Sequence, residues 1–301
     1  VAGDISHSYL SRMSGCFFNI DLMTDYELED PYDLVLNNKW TLDKFLQMQE
    51  GLYSDLDNNG IKSRGDMFGT IADGPQIDCT QYSGGIRFCD HDENHLPRLS
   101  ADVTSERIVK IVDYWIAIFK NGNIVSTDDT WYWDNGHCVF YIYPLAHVTS
   151  EAMRNAEFRY GFVPQPKFDE NQENYVTSLT NYFSFWCIPK VTPDGELSAT
   201  LIECMSSEGY HYITPAVFET AYKYKYTDDE TLRQAEIFEI LRANVYVDFG
   251  KICTLSLSSI PSSLYRDVVI SGTNNYLSRF ASSRRPLENG LKKLIEEITG
   301  S

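Results

Sequence analysis

Apolar residues recur in two rhythms along the chain. Ile108, Ile111, Val112, Trp115 and Phe119 fall every three or four positions behind Thr104-Ser105-Glu106-Arg107, which predicts an amphipathic helix ended by Asn121-Gly122. Leu42, Phe45, Leu46 and Gln49 repeat that spacing behind Thr41, a good N-cap after the Asn37-Asn38-Lys39 turn. Helices are also expected over 149–155, 192–205, 215–225, 228–243 and 287–298, with 280–285 as a loop. Elsewhere apolar residues run without interruption. Residues 136–148, ending their apolar core at Pro144, and 158–163, ending at Pro164 and Pro166, read as buried strands. Neither Pro164 nor Pro166 can donate to a ladder, so the second strand stops there or continues as an edge. Residues 24–70 read as helix, loop and strand, 71–100 as loop with a turn at Tyr82-Ser83-Gly84-Gly85, and 175–188 as strand plus turn. Trp131 and Trp133 are two apart and read as packing residues sharing one face of a strand or turn. Strands alternating with a larger number of helices give the α/β class.

Length and charge narrow the functional classes. A chain of 301 residues buries a sizeable core in one or two domains. With 43 acidic against 25 basic side chains and a net charge of −18, it repels phosphate backbones and anionic membrane surfaces, and no Lys/Arg cluster offsets this. Neutral ligands fit such a surface. No apolar run reaches the roughly 18 residues that span a bilayer. The first residues carry no basic, apolar leader or lipobox, so any export signal is expected to have been removed. The seven cysteines include no C-x-x-C pair, which argues against zinc and for buried free thiols; in an oxidising compartment a Cys79–Cys89 bridge would close a short loop.

The sharpest chemical signal is Asp55-Leu-Asp57-Asn-Asn59-Gly60-Ile61-Lys-Ser63-Arg-Gly-Asp66. Oxygen donors stand at positions 1, 3, 5, 9 and 12 of a twelve-residue loop. Gly60 occupies position 6, where the chain must turn, and the Ile61 carbonyl serves position 7. This is the spacing of a structural calcium loop, with Asp66 where a bidentate Glu is usual. The competing expectation is a solvated Asp/Asn/Gly turn. No nucleophile elbow, phosphate loop or zinc-hydrolase motif is present, and His91 and His95 beside Asp90, Asp92 and Glu93 read as an exposed loop.

Residues 158–175, Phe-Arg-Tyr-Gly-Phe-Val-Pro-Gln-Pro-Lys-Phe-Asp-Glu-Asn-Gln-Glu-Asn-Tyr, resemble the return segment of extracellular solute-binding proteins, the maltose-binding-like receptors of carbohydrate ABC importers in Firmicutes. Four further stretches are similar and follow the family's order: Gly3-Asp4-Ile5-Ser6, Tyr32-Asp33-Leu34-Val35 with Trp40-Thr41, Ile188-Pro189-Lys190, and Pro215-Ala216-Val217-Phe218-Glu219 running into Lys223-Tyr224-Lys225. The resemblance implies a helix-rich α/β fold of the periplasmic-binding-protein-like type II. One lobe would be essentially complete (17–158 and 213–301), with a remnant of the other and its crossover strands in 1–16 and 159–212. The chain would then lack the first part of the N-terminal lobe, or be a compact relative.

The same resemblance places cleft-lining turns at Asp4, at Tyr82 with Gly84 and Gly85, and from Tyr143 to His147. Tyr182, Trp186, Tyr210 and Tyr212 would come from the first-lobe side. Pro144, Leu145 and Ala146 occupy the turn that often carries a stacking Trp in these receptors, which leaves Tyr143 to stack. The 20 Tyr and 5 Trp suit sugars, whose C–H faces lie on aromatic rings, and equally suit an aromatic core. The implied activity is capture of an oligosaccharide for ABC permease subunits by a monomeric, non-enzymatic, cell-surface lipoprotein whose anchor is not in this chain. Two other readings stand beside it: a non-transport glycan-binding or calcium-stabilised interaction module, and a glycoside-acting enzyme, for which no carboxylate pair is singled out.

Overall fold

A computed structural model describes residues 3–120, 124–125, 129–180, 183–217 and 228–300. The two buried apolar runs meet in one five-stranded sheet of order β5-β2-β6-β1-β7. Its strands are β1 (Ser14–Asn19), β2 (Phe68–Ala72), β5 (Ile124–Val125), β6 (Cys138–Pro144) and β7 (Tyr160–Pro164). β1 alone runs against its neighbours, pairing Ser14 with Pro144 of β6 and Gly15 with Pro164 of β7. Both prolines thus lie where the ladders end and no donor is needed. Glycine is required at two points of the β1–β7 pair. A Cβ on Gly15 would stand 2.3 Å from the Phe162 ring, and one on Gly161 2.1 Å from the Phe18 ring. Beyond Pro164 the chain is held by Trp40, whose indole N–H donates to the Pro164 carbonyl at 2.8 Å.

The amphipathic stretches within the described residues form helices as their caps predict; residues 218–225 of the helix expected over 215–225 lie outside them. Helices α1 to α4 are His7–Ser11, Ile20–Asp25, Pro31–Leu36 and Leu42–Gln47. Thr41 caps the last, its hydroxyl accepting from the Lys44 N–H at 3.3 Å. α5 (Gly74–Ser83) and α6 (Glu106–Lys120) follow, and α6 buries Ile108, Ile111, Val112, Trp115 and Phe119. The predicted end of α6 at Asn121-Gly122 lies outside the described residues. α7 (Trp131–Asp134) and α8 (Glu151–Arg154) flank β6, and α9 (Gly195–Glu208) begins at its Asp194 cap. α10 (Asp228–Ala243), α11 (Phe249–Ile252), α12 (Ile260–Ser271) and α13 (Tyr276–Thr299) complete the chain, with two small strand pairs, β3 (Cys89–His91) with β4 (Pro97–Leu99) and β8 (Thr177–Ser178) with β9 (Val245–Tyr246).

Four expectations are corrected. Residues 74–83 are a helix, not loop: α5 is sandwiched against α12, and its polar side chains are buried in pairs, such as Thr80 with Tyr265 at 2.8 Å. Residues 280–285 continue a 24-residue helix through Pro286, because Phe280 and Leu287 are both buried on it. Trp131 and Trp133 lie on a helical turn, which separates positions two apart; Trp133 is buried, and Trp131 stacks with the Arg64 guanidinium at 5.1 Å. All seven cysteines are free thiols, as expected, although Cys187 and Cys204 are exposed; Cys79 is held against Lys251 at 3.2 Å, not bridged to Cys89. The boundaries expected after residues 16 and 158 also run through the sheet. β1 straddles the first, and β7 follows the second while paired to β1, so the chain leaves this sheet only after Pro164.

Candidate functional site

Because β2, β5, β6 and β7 run one way, their carboxyl ends gather at one edge of the sheet, the place where open α/β sheets receive ligands. A buried relay marks this edge. Gln165, just past β7, donates from Nε2 to the Ser14 hydroxyl at 2.8 Å, and Ser14 donates to Gln76 Oε1 at the start of α5 at 2.9 Å. Residues 12–13 enter β1 here and are pinned by Leu179 and Thr180, whose N–H donates to the Arg12 carbonyl at 2.9 Å.

Further out, the N-terminal segment meets the residues after α9 at a cavity of about 310 Å³ lined by Tyr210, His211, Thr214, Phe238, Glu239 and Arg242. Asp4 closes it. The Thr214 hydroxyl donates to Asp4 Oδ1 at 2.6 Å, and the Arg242 guanidinium stands 3.5 Å from Asp4 Oδ2. Arg242 also covers the Tyr210 ring at 4.7 Å. Gly209 makes the approach: a Cβ there would lie 1.9 Å from the Asp4 carbonyl oxygen. Nearby Tyr9 has its hydroxyl pKa raised, chiefly by burial and then by the Asp4 charge. A flat ring, a planar multiple donor, a carboxylate and a hydroxyl converge on a space at the small end of ligand pockets, about 300–1,000 Å³. That set can pair with vicinal hydroxyls while offering an apolar face.

The structure thus unites Asp4 and Tyr210, and adds Arg242 and Thr214, which carry no motif in the sequence. Tyr143 and His147 meet each other, their rings 5.1 Å apart and edge-on. His147 is buried and bonded at 2.9 Å to Asp134, so it fastens the turn after β6 to α7. Tyr143 stacks on Tyr141 at 4.6 Å. Tyr82 does not line a ligand surface: it is 1 % exposed, with its hydroxyl directed at the Pro261 carbonyl. Gly84 packs on Ile111, and Gly85, at φ +83°, on Arg107, so this turn seats α5 on α6. Trp186 and Tyr212 are 39 % and 68 % exposed, and Tyr182 lies outside the described residues.

The twelve-residue loop keeps part of its expected arrangement. Asp55, Asp57 and Asp66 each bring one carboxylate oxygen within 4.8 Å of the others. Asn59 and Ser63 are engaged locally: Asn59 donates to Asp57 Oδ2 at 2.7 Å and accepts from the Ile61 N–H, while the Ser63 hydroxyl accepts from the Gly65 N–H. The Ile61 side chain is exposed.

No family model matches the chain, and no curated protein matches it. Solved structures are similar over nearly all of it. The cyclic alpha-maltosyl-1,6-maltose binding protein from Arthrobacter globiformis is 13% identical, with a TM-score of 0.57 over 93% of this chain and 70% of that one. UgpB from Mycobacterium tuberculosis, in complex with glycerophosphocholine, is 11% identical, with a TM-score of 0.59 over 94% and 69%. An ABC substrate-binding protein from Listeria monocytogenes, in complex with cycloalternan, is 12% identical, with a TM-score of 0.53 over 96% and 71%. The fold is therefore the helix-rich α/β fold of periplasmic-binding-protein-like type II.

Proposed function

We propose that the chain binds carbohydrate, without turning it over, as the solute receptor of an ABC importer. The observation that carries this reading is the cavity lined by Tyr210, Thr214 and Arg242, with Asp4 held against Thr214 and Arg242. It sits in a fold whose solved likenesses include proteins named for, or complexed with, saccharides. Residues 3–13 and 165–212 would form the first-lobe side of the cleft and the main sheet with its helices the second. The outward-facing apolar side chains of α9, Leu197, Leu201 and Met205, support a first-lobe surface there. A ligand held by both sides draws them together only through its higher affinity for the closed state. The closed receptor would dock, as a monomer outside the cell and tethered by a lipid anchor, on the permease subunits. The net charge of −18 suits a neutral ligand.

Saturation-transfer NMR against a panel of oligosaccharides at millimolar concentration detects such binding even when weak, and chromatography of the same samples detects turnover. Transfer to sugar protons, with unchanged sugar and loss of the signal in Arg242→Ala and Tyr210→Ala, is the expected result. Product formation would instead establish a glycoside-acting enzyme. No transfer to any saccharide would refute carbohydrate binding.

A further inference from the structure

The geometry points to a calcium site in residues 55–66, formed by Asp55, Asp57 and Asp66. Three carboxylates converge there with their donor atoms within 4.8 Å of one another. Calcium takes oxygen ligands at about 2.3–2.6 Å, so opposite ligands stand about 5 Å apart. Magnesium, at about 2.0–2.1 Å, spans only about 4 Å and demands an octahedron. Donor atoms no more than 4.8 Å apart fall within calcium's reach.

Asp66 supplies an independent observation. It is 0 % exposed, and its Oδ1 accepts no hydrogen bond, whereas Oδ2 takes the Ser63 N–H at 2.8 Å. A buried carboxylate oxygen left without a donor is costly, and a cation in the cluster supplies the missing partner. The loop's own Arg64 is turned away, donating to Asp129. Asp55 is oriented from below, its Oδ2 accepting the Gly60 N–H at 2.8 Å. Gly65 lets Asp57 approach, since a Cβ there would lie 2.7 Å from Asp57 Oδ2.

The ion would act on the fold through the base of the loop. Ser54 and Met67 are paired across it, each donating to the other's carbonyl at 3.0 Å, and Phe68 opens β2 directly afterwards. The Asp66 carbonyl is 3.0 Å from His137 Nδ1, beside the start of β6. Calcium would thus clamp the loop onto the two central strands, β2 and β6.

Terbium, which replaces calcium and is sensitised by nearby tyrosine and tryptophan, reports the site directly. Tyr53, beside Asp55 and Asp66, and Trp131, against Arg64, are its antennas. The intact chain is expected to give terbium emission that calcium displaces and equimolar magnesium does not. Saturating calcium should raise its Tm by about 5 °C. In Asp57→Asn and, separately, Asp55→Asn, affinity should fall at least about tenfold and the Tm shift vanish, near-ultraviolet circular dichroism confirming that each folds. Absence of emission and of any Tm shift in the wild-type chain would overturn the proposal. So would emission that magnesium displaces equally, or that survives in both folded variants.

Discussion

Asp78 is a side chain whose ionisation differs between the folded and the unfolded chain. It is fully buried on α5, 3.2 Å from the Arg266 guanidinium, and burial outweighs that partner and Lys251 to push its pKa up to about 8. The unfolded chain gives up this proton near pH 4, whereas the folded chain keeps it until about pH 8. The unfolded state therefore binds fewer protons across that window, and this group's contribution to stability falls as the pH rises. Asp78→Asn should flatten the decline in Tm between pH 5 and pH 8 and leave the protein relatively more stable at pH 8. An unchanged pH profile would mean that Arg266 holds the carboxylate ionised throughout. Arg242 makes the opposite lesson about sequence. A single Arg near the end of a polar helix has no pattern to announce it, and only folding brings it to Asp4 and Tyr210, which lie 238 and 32 residues away in the chain. The Asp55–Asp57–Asp66 cluster was legible because its chemistry is local and its spacing is fixed by one turn.

At the level of elements, legibility followed the contrast between two faces. α6 and α4 were readable because one side of each meets the core and capping residues mark their starts. Thr41→Ala removes one such cap and is expected to cost about 1 kcal/mol, read from urea unfolding midpoints. A loss near zero would mean that the backbone pairing of residue 41 with Lys167, not the hydroxyl, sets the start of α4. α5 was hidden because it is enclosed all round: Gln76, Asp78, Thr80, Gln81 and Ser83 are buried with polar partners, so no apolar stripe survives in the sequence. Pro286 misled for a related reason. Proline costs a helix one hydrogen bond, about 3 kcal/mol in an isolated interior, but the packing of Phe280 and Leu287 on either side outweighs local preference. β6 and β7 read correctly because their prolines fall where pairing ends.

The whole molecule combines a buried, four-to-one oriented sheet with an acidic chain and a hollow lined by Tyr210, Phe238 and Arg242. Among the described residues no helix is long and apolar enough to cross a membrane. The overall architecture was recoverable from the sequence because the proline-bounded strand 160–164 and its companions carry it; the hollow was not, since its walls come from residues 210–215 and 238–242, with Asp4 bonded to Thr214, and only the fold joins them. The most direct test is a crystal structure of the chain soaked with the oligosaccharide that gives the strongest saturation transfer. The account predicts sugar density against Tyr210, with hydroxyls within hydrogen-bonding distance of Arg242 and Asp4. Density confined to another surface, such as the groove between Leu99 and Arg284, or a hollow that stays free of sugar at saturating concentration, would contradict it.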